Sequence, residues 1–331
     1  MEWNSPNFRN GTFHNQLPTE LMSADNTLLK VFIKFMRKPK SVNPPGPLPS
    51  VCRDLKTPPG PQTRLTWFGH SSYLVQMNGL NILVDPVFSS HASPVPIFAK
   101  AFAGSNVYGP ADMPDIDILI ITHNHYDHLD SRTIRALRHR VGAVCTGLGV
   151  KPDLIRHGLP ADIITELDWG QCAQLPAGLQ LTAAPARHFS GRGVKRNQSL
   201  WSSYILASGQ EKIYIGGDSG YGPHFKTIGD ANGPFDLAIL ETGQYNTDWA
   251  NIHMMPEEAI QAGTDLRAKA ILPVHWAKFS LAFHPWDEPV RRVLAEAQKT
   301  GMPVATPMIG EAVVLHQPLP ASRWWESVKQ P

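Results

Sequence analysis

Two hydrophobic rhythms alternate along the chain. Over 26–38, NTLLKVFIKFMRK, the apolar residues Leu28, Leu29, Phe32, Phe35 and Met36 recur at helical spacing. Lys30, Lys34, Arg37 and Lys38 lie between them, which predicts a basic amphipathic helix. Residues 1–26 show no rhythm and read as irregular, and 41–63, with NPPGPLP and TPPGPQ, read as an extended Pro-rich linker. From Leu65 the period changes. LTWFG, SYLVQM and NILVD are strand-like runs, and the turn MNGLN joins two of them as a hairpin. DIDILIIT at 115–122 is a continuous apolar run, the pattern of a strand buried on both faces. SRTIRALRHR reads as a helix, and AVCTGL, DIITEL and LQLTAAPA as further strands. SSYILAS and KIYIGGD form a second hairpin around SGQE. Then DLAILE, AILPVH and EAVVLH alternate as strands with the helices MPEEAIQAGTDLRA and DEPVRRVLAEAQKT. Hairpins first and strand–helix alternation later predict two sheets covered by helices.

Composition narrows the class. The chain has 331 residues with 42% hydrophobic and 18% charged, ample for a core. Thirty Lys/Arg against 28 Asp/Glu leave a net charge of +2. The excess is N-terminal: residues 1–64 hold nine Lys/Arg against four Asp/Glu, and the remainder holds 21 against 24. With no basic stripe in the main body, a nucleic-acid partner is not expected. The three cysteines, Cys52, Cys145 and Cys172, form no CxxC pair, which argues against a disulfide framework or a thiolate metal site. The N-terminus lacks the pattern of a signal peptide, and no apolar run approaches the ~20 residues that span a bilayer. The expectation is a soluble, cytoplasmic chain. The helix at 26–38 either touches an anionic membrane surface peripherally or packs on its own domain with its lysines solvated.

The chemistry concentrates in Thr122-His123-Asn124-His125-Tyr126-Asp127-His128-Leu129-Asp130, directly after the buried-strand candidate. His123, His125, Asp127 and His128 are four metal-competent side chains within six residues. Imidazole and carboxylate without thiolate suit Zn²⁺, with Mn²⁺ or Fe as alternatives. Four ligands so close in sequence split more naturally between two ions than around one. Three more candidates stand at strand ends: His188 after LQLTAAPAR, Asp218 after KIYIGG, and His275 after AILPV. The two oxygens of Asp218 suit it to bridge two cations. Asp130 is a candidate partner for the second N–H of a ligand histidine. His70 in GHSS, Tyr221 in DSGYG and His253 in IHMMPEEA are candidates to contact substrate, each weighed against an ordinary packed or capping role. For Met254-Met255 core packing is the default.

This HxHxDH element, with a downstream His, an Asp in GGD and a final His after a strand, resembles the metallo-β-lactamase fold superfamily. GHSSYLVQMNGLNILVDPVF, THNHYDHLD, GGDSGYGPHF, GPFDLAIL, HMMPEEA and the segment around HWAKF are similar to the N-acyl-phosphatidylethanolamine-hydrolysing phospholipase D family and its bacterial relatives, over about residues 64–288. The resemblance implies an α/β fold, an αββα sandwich over 64–316 with an N-terminal extension at 1–63 and a C-terminal tail at 317–331. It implies two zinc ions per chain, one on His123, His125 and His188, the other on Asp127, His128 and His275, with Asp218 bridging. It further implies a metal-bridging hydroxide attacking phosphorus in a phosphodiester, with Asp127 and Asp218 the catalytic carboxylates, a phospholipid or small-molecule substrate, and a homodimer. FSGRG after His188 and ETGQYNTDWAN depart from the family's mammalian members, where selectivity would be set. The alternative function is a metal-dependent lactonase or acyl hydrolase, for example on a sugar-phosphate lactone, and a non-catalytic metal-binding protein is the third reading.

Overall fold

The computed structural model of the chain describes residues 3–22, 34, 37–95, 98–193 and 195–329. The chain begins with a hairpin of β1 (Phe8–Arg9) and β2 (Thr12–Phe13). There follow β3 (Arg64–Trp67), β4 (Tyr73–Met77), β5 (Leu80–Val84), β6 (Ile116–Ile121), β7 (Val141–Gly147) and β8 (Ile164–Leu167), with helices α1 (Ser131–Leu137) and α2 (Lys151–Arg156) between the later strands. The second half holds β9 (Cys172–Gln174), β10 (Gln180–Ala184), β11 (Ser203–Ala207), β12 (Lys212–Ile215), α3 (His224–Asn232), β13 (Leu237–Glu241), α4 (Pro256–Asp265), β14 (Ile271–Val274), α5 (Glu288–Thr300) and β15 (Ala312–Val314). Among the described residues these make a seven-stranded sheet, β15-β3-β4-β5-β6-β7-β8, and a six-stranded sheet, β14-β13-β12-β11-β10-β9.

Local chemistry explains the elements. Asn78 (φ 52°) and Gly79 (φ 80°) both take positive φ, as the tight turn between β4 and β5 requires. β6 is buried at every position but one and pairs in parallel with β5 and β7, so its unbroken apolar run has hydrophobic neighbours on both faces. The Asp130 carboxylate accepts from the Arg132 N–H and caps α1. Gly301, at φ 74°, ends α5.

Three apolar layers hold the sandwich together. Between the sheets, Trp67, Val75, Ile82, Ile118 and Ile120 meet Leu181, Leu206, Ile213, Ile239 and Leu272. Outside the first sheet, Leu119 and Ile121 pack with Ile134, Leu137 and Leu154 of the helices. Outside the second, Tyr214, Ala238 and Leu240 pack with Phe225, Ile260 and Val293. The architecture is the expected αββα sandwich. Near the C-terminus, Trp324 stacks on Trp276 at 5.3 Å between ring centroids, and Trp325 packs edge-on to it.

Strand direction decides where function sits. β3, β5 and β6 run one way in the first sheet, and β10, β12, β13 and β14 share one direction in the second. The loops that follow these strands therefore gather at one end of each sheet.

Two expectations need correction or limits. Residues 1–26, read as irregular, contain the β1–β2 hairpin, and Phe13 is fully buried with Leu148, Ala186, Leu200 and Trp201. Two-residue strands leave no periodicity to read, and the contacts that order them come from distant chain. Burying such a ring contributes about 1.5–3 kcal/mol. Most of the helix expected at 26–38 lies outside the described residues; Lys34 forms an ion pair with Asp248 at 2.5 Å. Among the described residues no helix is long and apolar enough to cross a membrane.

Candidate metal centre

Every strand-end candidate reaches the same place. The loop after β6 carries His123, His125, Asp127 and His128. His188 follows β10, Asp218 follows β12 and His275 follows β14. Their donor atoms fall into overlapping groups, each within 4.8 Å: His123, His125 and His188; His70, Asp127, His128 and His275; His123, His128 and Asp218; and Asp218, Glu241, His253 and His275.

Within the first group, His123 Nε2 lies 2.9 Å and His188 Nε2 3.2 Å from His125 Nδ1. A tetrahedral cation with ligand bonds of ~2.0–2.1 Å holds its ligands roughly 3.3 Å apart. The two separations from His125 Nδ1 are close to that spacing. In the second group, Asp127 Oδ2 lies 3.5 Å from His275 Nε2 and 3.7 Å from His128 Nε2. Asp218 stands between the groups. Its Oδ2 is 3.2 Å from His128 Nε2, 3.7 Å from His188 Nε2 and 3.8 Å from His123 Nε2, while Oδ1 is 2.6 Å from His275 Nδ1. His128 Nε2 and His275 Nε2 are buried without a hydrogen-bond partner. Orphaned nitrogens converging on carboxylates fit divalent cations, so the donor set passes this test for a metal centre.

The far sides of two of the rings, His128 and His188, are engaged. The Asp85 carboxylate accepts from His128 Nδ1 at 2.7 Å and from the Thr122 backbone N–H and hydroxyl at 2.8 and 2.6 Å. His188 Nδ1 bonds the Ile252 carbonyl at 2.9 Å. These bonds fix which nitrogen each ring turns inward. Asp130 does not share this work. Its carboxylate accepts from Ser89 N, Arg132 N and the Thr133 hydroxyl, so it caps α1 instead of supporting a ligand. Asp85, at a strand end like Asp218, takes the role sequence reasoning gave to Asp130.

Backbone strain marks the same loops. His70 (φ 53°), Asp85 (φ 41°) and His275 (φ 69°) adopt the left-handed region that non-glycine residues avoid. Gly217, directly before Asp218, has φ 61°, and a Cβ there would meet Thr122 and Ser202 O at 3.1 Å. The packed turn between the sheets needs glycine at this point.

Electrostatics separates the histidines. Burial, reinforced by neighbouring imidazoles, holds His123 and His125 well below the usual histidine range, and His188 falls to about 4. These rings are neutral and ready to donate lone pairs. Burial acts in the same direction on His128, yet Asp218, Asp127 and Asp85 overcome it and raise that ring to about 10. His275 is likewise raised, by Asp218 and Asp127 against burial. Burial would raise the Asp127 and Asp218 carboxyls, but the facing histidines hold both well below the carboxylate range. The centre is thus one neutral triad beside a cluster of charged pairs.

The three residues named as substrate contacts part company. His253 lines the cavity above the cluster, its Nδ1 held by Glu241 Oε2 at 2.6 Å. His70 is fully buried behind the cluster, and its Nε2 lies 2.9 Å from Asp127 Oδ2, so it orients a carboxylate and does not face the cavity. Tyr221 is also corrected. Its hydroxyl donates to Asp265 at 2.5 Å and its ring stacks on Phe225, which makes it a packed aromatic away from the cavity.

The cavity has a volume of about 290 Å³. Its floor includes His125, Asp127, His188, Asp218 and His275, and its walls include Leu21, Met22, Phe189, Trp249, Ile252 and Leu281, together with the guanidinium of Arg196. Phe189 belongs to FSGRG, and Trp249 belongs to ETGQYNTDWAN, as does Gln244, another lining residue. Across Leu281 lies a larger depression of about 540 Å³ whose lining includes Lys38, Lys40 and Lys100. Sequence reasoning missed Asp85, Glu241, Arg196 and the N-terminal wall. The strand-end position of Asp85 and Glu241 was the available signal; the wall had none.

Comparisons with known proteins show the family. Residues 80–276 match the model of the β-lactamase superfamily domain. A Mycobacterium tuberculosis protein, named only as uncharacterized, is 39% identical over 97% of this chain and 87% of its own length. The N-acyl-phosphatidylethanolamine-hydrolyzing phospholipase D 1 of Caenorhabditis elegans is 31% identical over 65% of this chain and 64% of its own. Among solved structures, a metallo hydrolase of the archaeon Ignicoccus hospitalis superposes with a TM-score of 0.61 at 22% identity, covering 78% of this chain and 100% of that one.

Proposed function

The chain belongs to the β-lactamase superfamily, and from that premise we propose that it is a metal-dependent hydrolase of phosphodiesters bearing apolar groups, of the N-acyl-phosphatidylethanolamine type. One observation carries the reading: buried nitrogen and carboxylate donors at ligand-to-ligand spacing form the floor of a cavity whose walls are apolar. The likeness to the nematode phospholipase D supports the substrate class.

In this reading His123, His125 and His188 would hold one zinc ion, Asp127, His128 and His275 would hold another, and Asp218 would serve both. Divalent cations bound there would bring water to ionise near neutral pH and offset negative charge on a phosphoryl oxygen. The chain supplies the rest. Arg196 pairs with the phosphodiester anion and orients it toward the floor. Leu21, Met22, Phe189, Trp249 and Ile252 take the apolar substituent and keep bulk water off the reacting group. His70 holds Asp127, and Asp85 holds His128, so neither first partner turns away as substrate enters. His253, with Nδ1 engaged by Glu241, keeps Nε2 for the phosphate or the departing oxygen. The lysine-lined depression across Leu281 supports contact with an anionic lipid surface.

The test is product analysis of metal-quantified protein on N-acyl-phosphatidylethanolamine in mixed micelles, beside lactones and simple phosphodiesters. Release of N-acylethanolamine with about two metals per chain supports the reading. Metal without lipid turnover, but with opening of a lactone, would move the function to acyl hydrolysis.

A further inference from the structure

Residues 3–22 lie outside the matched superfamily domain, yet they reach its donor cluster. We infer that this segment completes the site: Asn15 is a positioning residue for His188, and Leu21 with Met22 is the wall that selects an alkyl chain on the ligand.

The Asn15 side chain grips both backbone groups of one residue. Its Nδ2 donates to His188 O at 2.8 Å, and its Oδ1 accepts from His188 N at 3.1 Å. The same Oδ1 accepts from Trp201 Nε1 at 3.0 Å. Two donors on one side and a carbonyl on the other fix which way the amide points. His188 Nδ1 is held separately by Ile252 O, so the ring is set from two directions while Nε2 faces His125 and Asp218. The residue before it is tied to the same segment: Arg187 donates through Nε to the Thr19 hydroxyl at 3.1 Å and through Nη2 to Pro18 O at 3.0 Å. Phe13 anchors the near end, fully buried beside Ala186 and Trp201. The segment is thus pinned from 13 to 19, and the pinned chain delivers Leu21 and Met22 to the cavity, whose lining also includes Trp249 and Ile252.

Leu21 and Met22 have apolar side chains and a flexible thioether. Such a wall recognises a flexible alkyl chain and offers no directional contact for a polar ring. The alkyl half of the inference rests on the hydrolase reading above; the Asn15 half rests on hydrogen bonds alone.

Two measurements on the full chain test it. The first is zinc affinity by chelator competition for Asn15→Ala and Asn15→Asp, with the melting temperature of each metal-free protein. Loss of a partner that orients a ligand costs about 10–100-fold in affinity. We expect at least tenfold weaker zinc binding in both variants, since aspartate cannot donate to His188 O. Lower melting temperatures with unchanged affinity would reduce Asn15 to a structural residue and overturn its role. The second is calorimetric binding of methyl, hexyl and dodecyl phosphonate to zinc-loaded native protein and to the Leu21→Ala/Met22→Ala double variant. Dodecyl phosphonate binding should weaken about tenfold and methyl phosphonate should not change. Equal weakening for all chain lengths, or none, overturns the wall. Native protein that binds no alkyl phosphonate overturns the wall and the phosphodiester reading together, while the zinc measurement still judges Asn15.

Discussion

The floor of the cavity includes His125, Asp127, His188, Asp218 and His275, polar groups at strand ends, with His188 held by Ile252 O and Asp127 by His70. The wall includes Leu21, Met22, Phe189, Trp249 and Ile252, drawn from segments far apart in sequence. The floor hangs on strand ends between two sheets, where a wrong side chain leaves charge buried and unpaired. The wall hangs on loops and an N-terminal segment, where one apolar residue replaces another at little cost. The floor would set which bond breaks, and the wall which molecule is held.

The largest effect is expected at Asp218, the carboxylate that both donor groups face. Asp218→Asn should lower kcat/KM by more than a hundredfold and reduce bound metal, measured by turnover and metal analysis on the same preparation. That exceeds the ~10–100-fold expected for a partner of a ligand. Full activity in the variant would show that the floor does not act as one unit.

A second substitution separates a residue behind the floor from one that only looks close in sequence. Asp85→Ala should weaken metal binding about 10–100-fold, because His128 loses the acceptor that turns its Nε2 inward. Asp130→Ala should leave metal affinity unchanged and cost about 1 kcal/mol through the lost cap of α1. Denaturant unfolding and chelator competition read the two effects independently.

On the wall, Trp249→Ala should raise KM for a long-chain phosphodiester about tenfold while kcat for a short soluble one stays within about twofold. A fall in kcat for both would place Trp249 in the chemistry.

The smallest effect concerns the floor without metal. His128 is raised to about 10 by carboxylates that outweigh burial, and His275 is raised as well. A folded pKa above the unfolded value of ~6.5 stabilises the fold fully below that pH, and the stabilisation is lost as pH rises toward 10. The melting temperature of metal-free protein should therefore decline between these limits, and the decline should disappear with metal bound, since coordination displaces those protons.

The floor was legible in the sequence and the wall was not. His123, His125, Asp127 and His128 announce themselves because four donors follow one apolar strand, and His188, Asp218 and His275 each follow another. Strand ends can be read from period and turn chemistry alone. Which partner stands behind each ring cannot, because that depends on how strands align across a sheet. Asp130, two residues from His128, was the near guess; Asp85 at the end of a neighbouring strand was the answer. His70 shows the same limit, since burial behind a cluster and exposure within it share one local pattern. The β1–β2 hairpin and the reach of Asn15 to His188 depend on contacts across more than 170 residues, beyond any periodicity in the segment itself.

In the proposed reaction water attacks phosphorus over this floor. The direct measurement is hydrolysis of N-acyl-phosphatidylethanolamine in water enriched in ¹⁸O, with mass analysis of both products. One ¹⁸O is expected in the phosphate of the phosphatidate and none in the N-acylethanolamine. Label in a released fatty-acid carboxylate, with the phosphodiester intact, would contradict it.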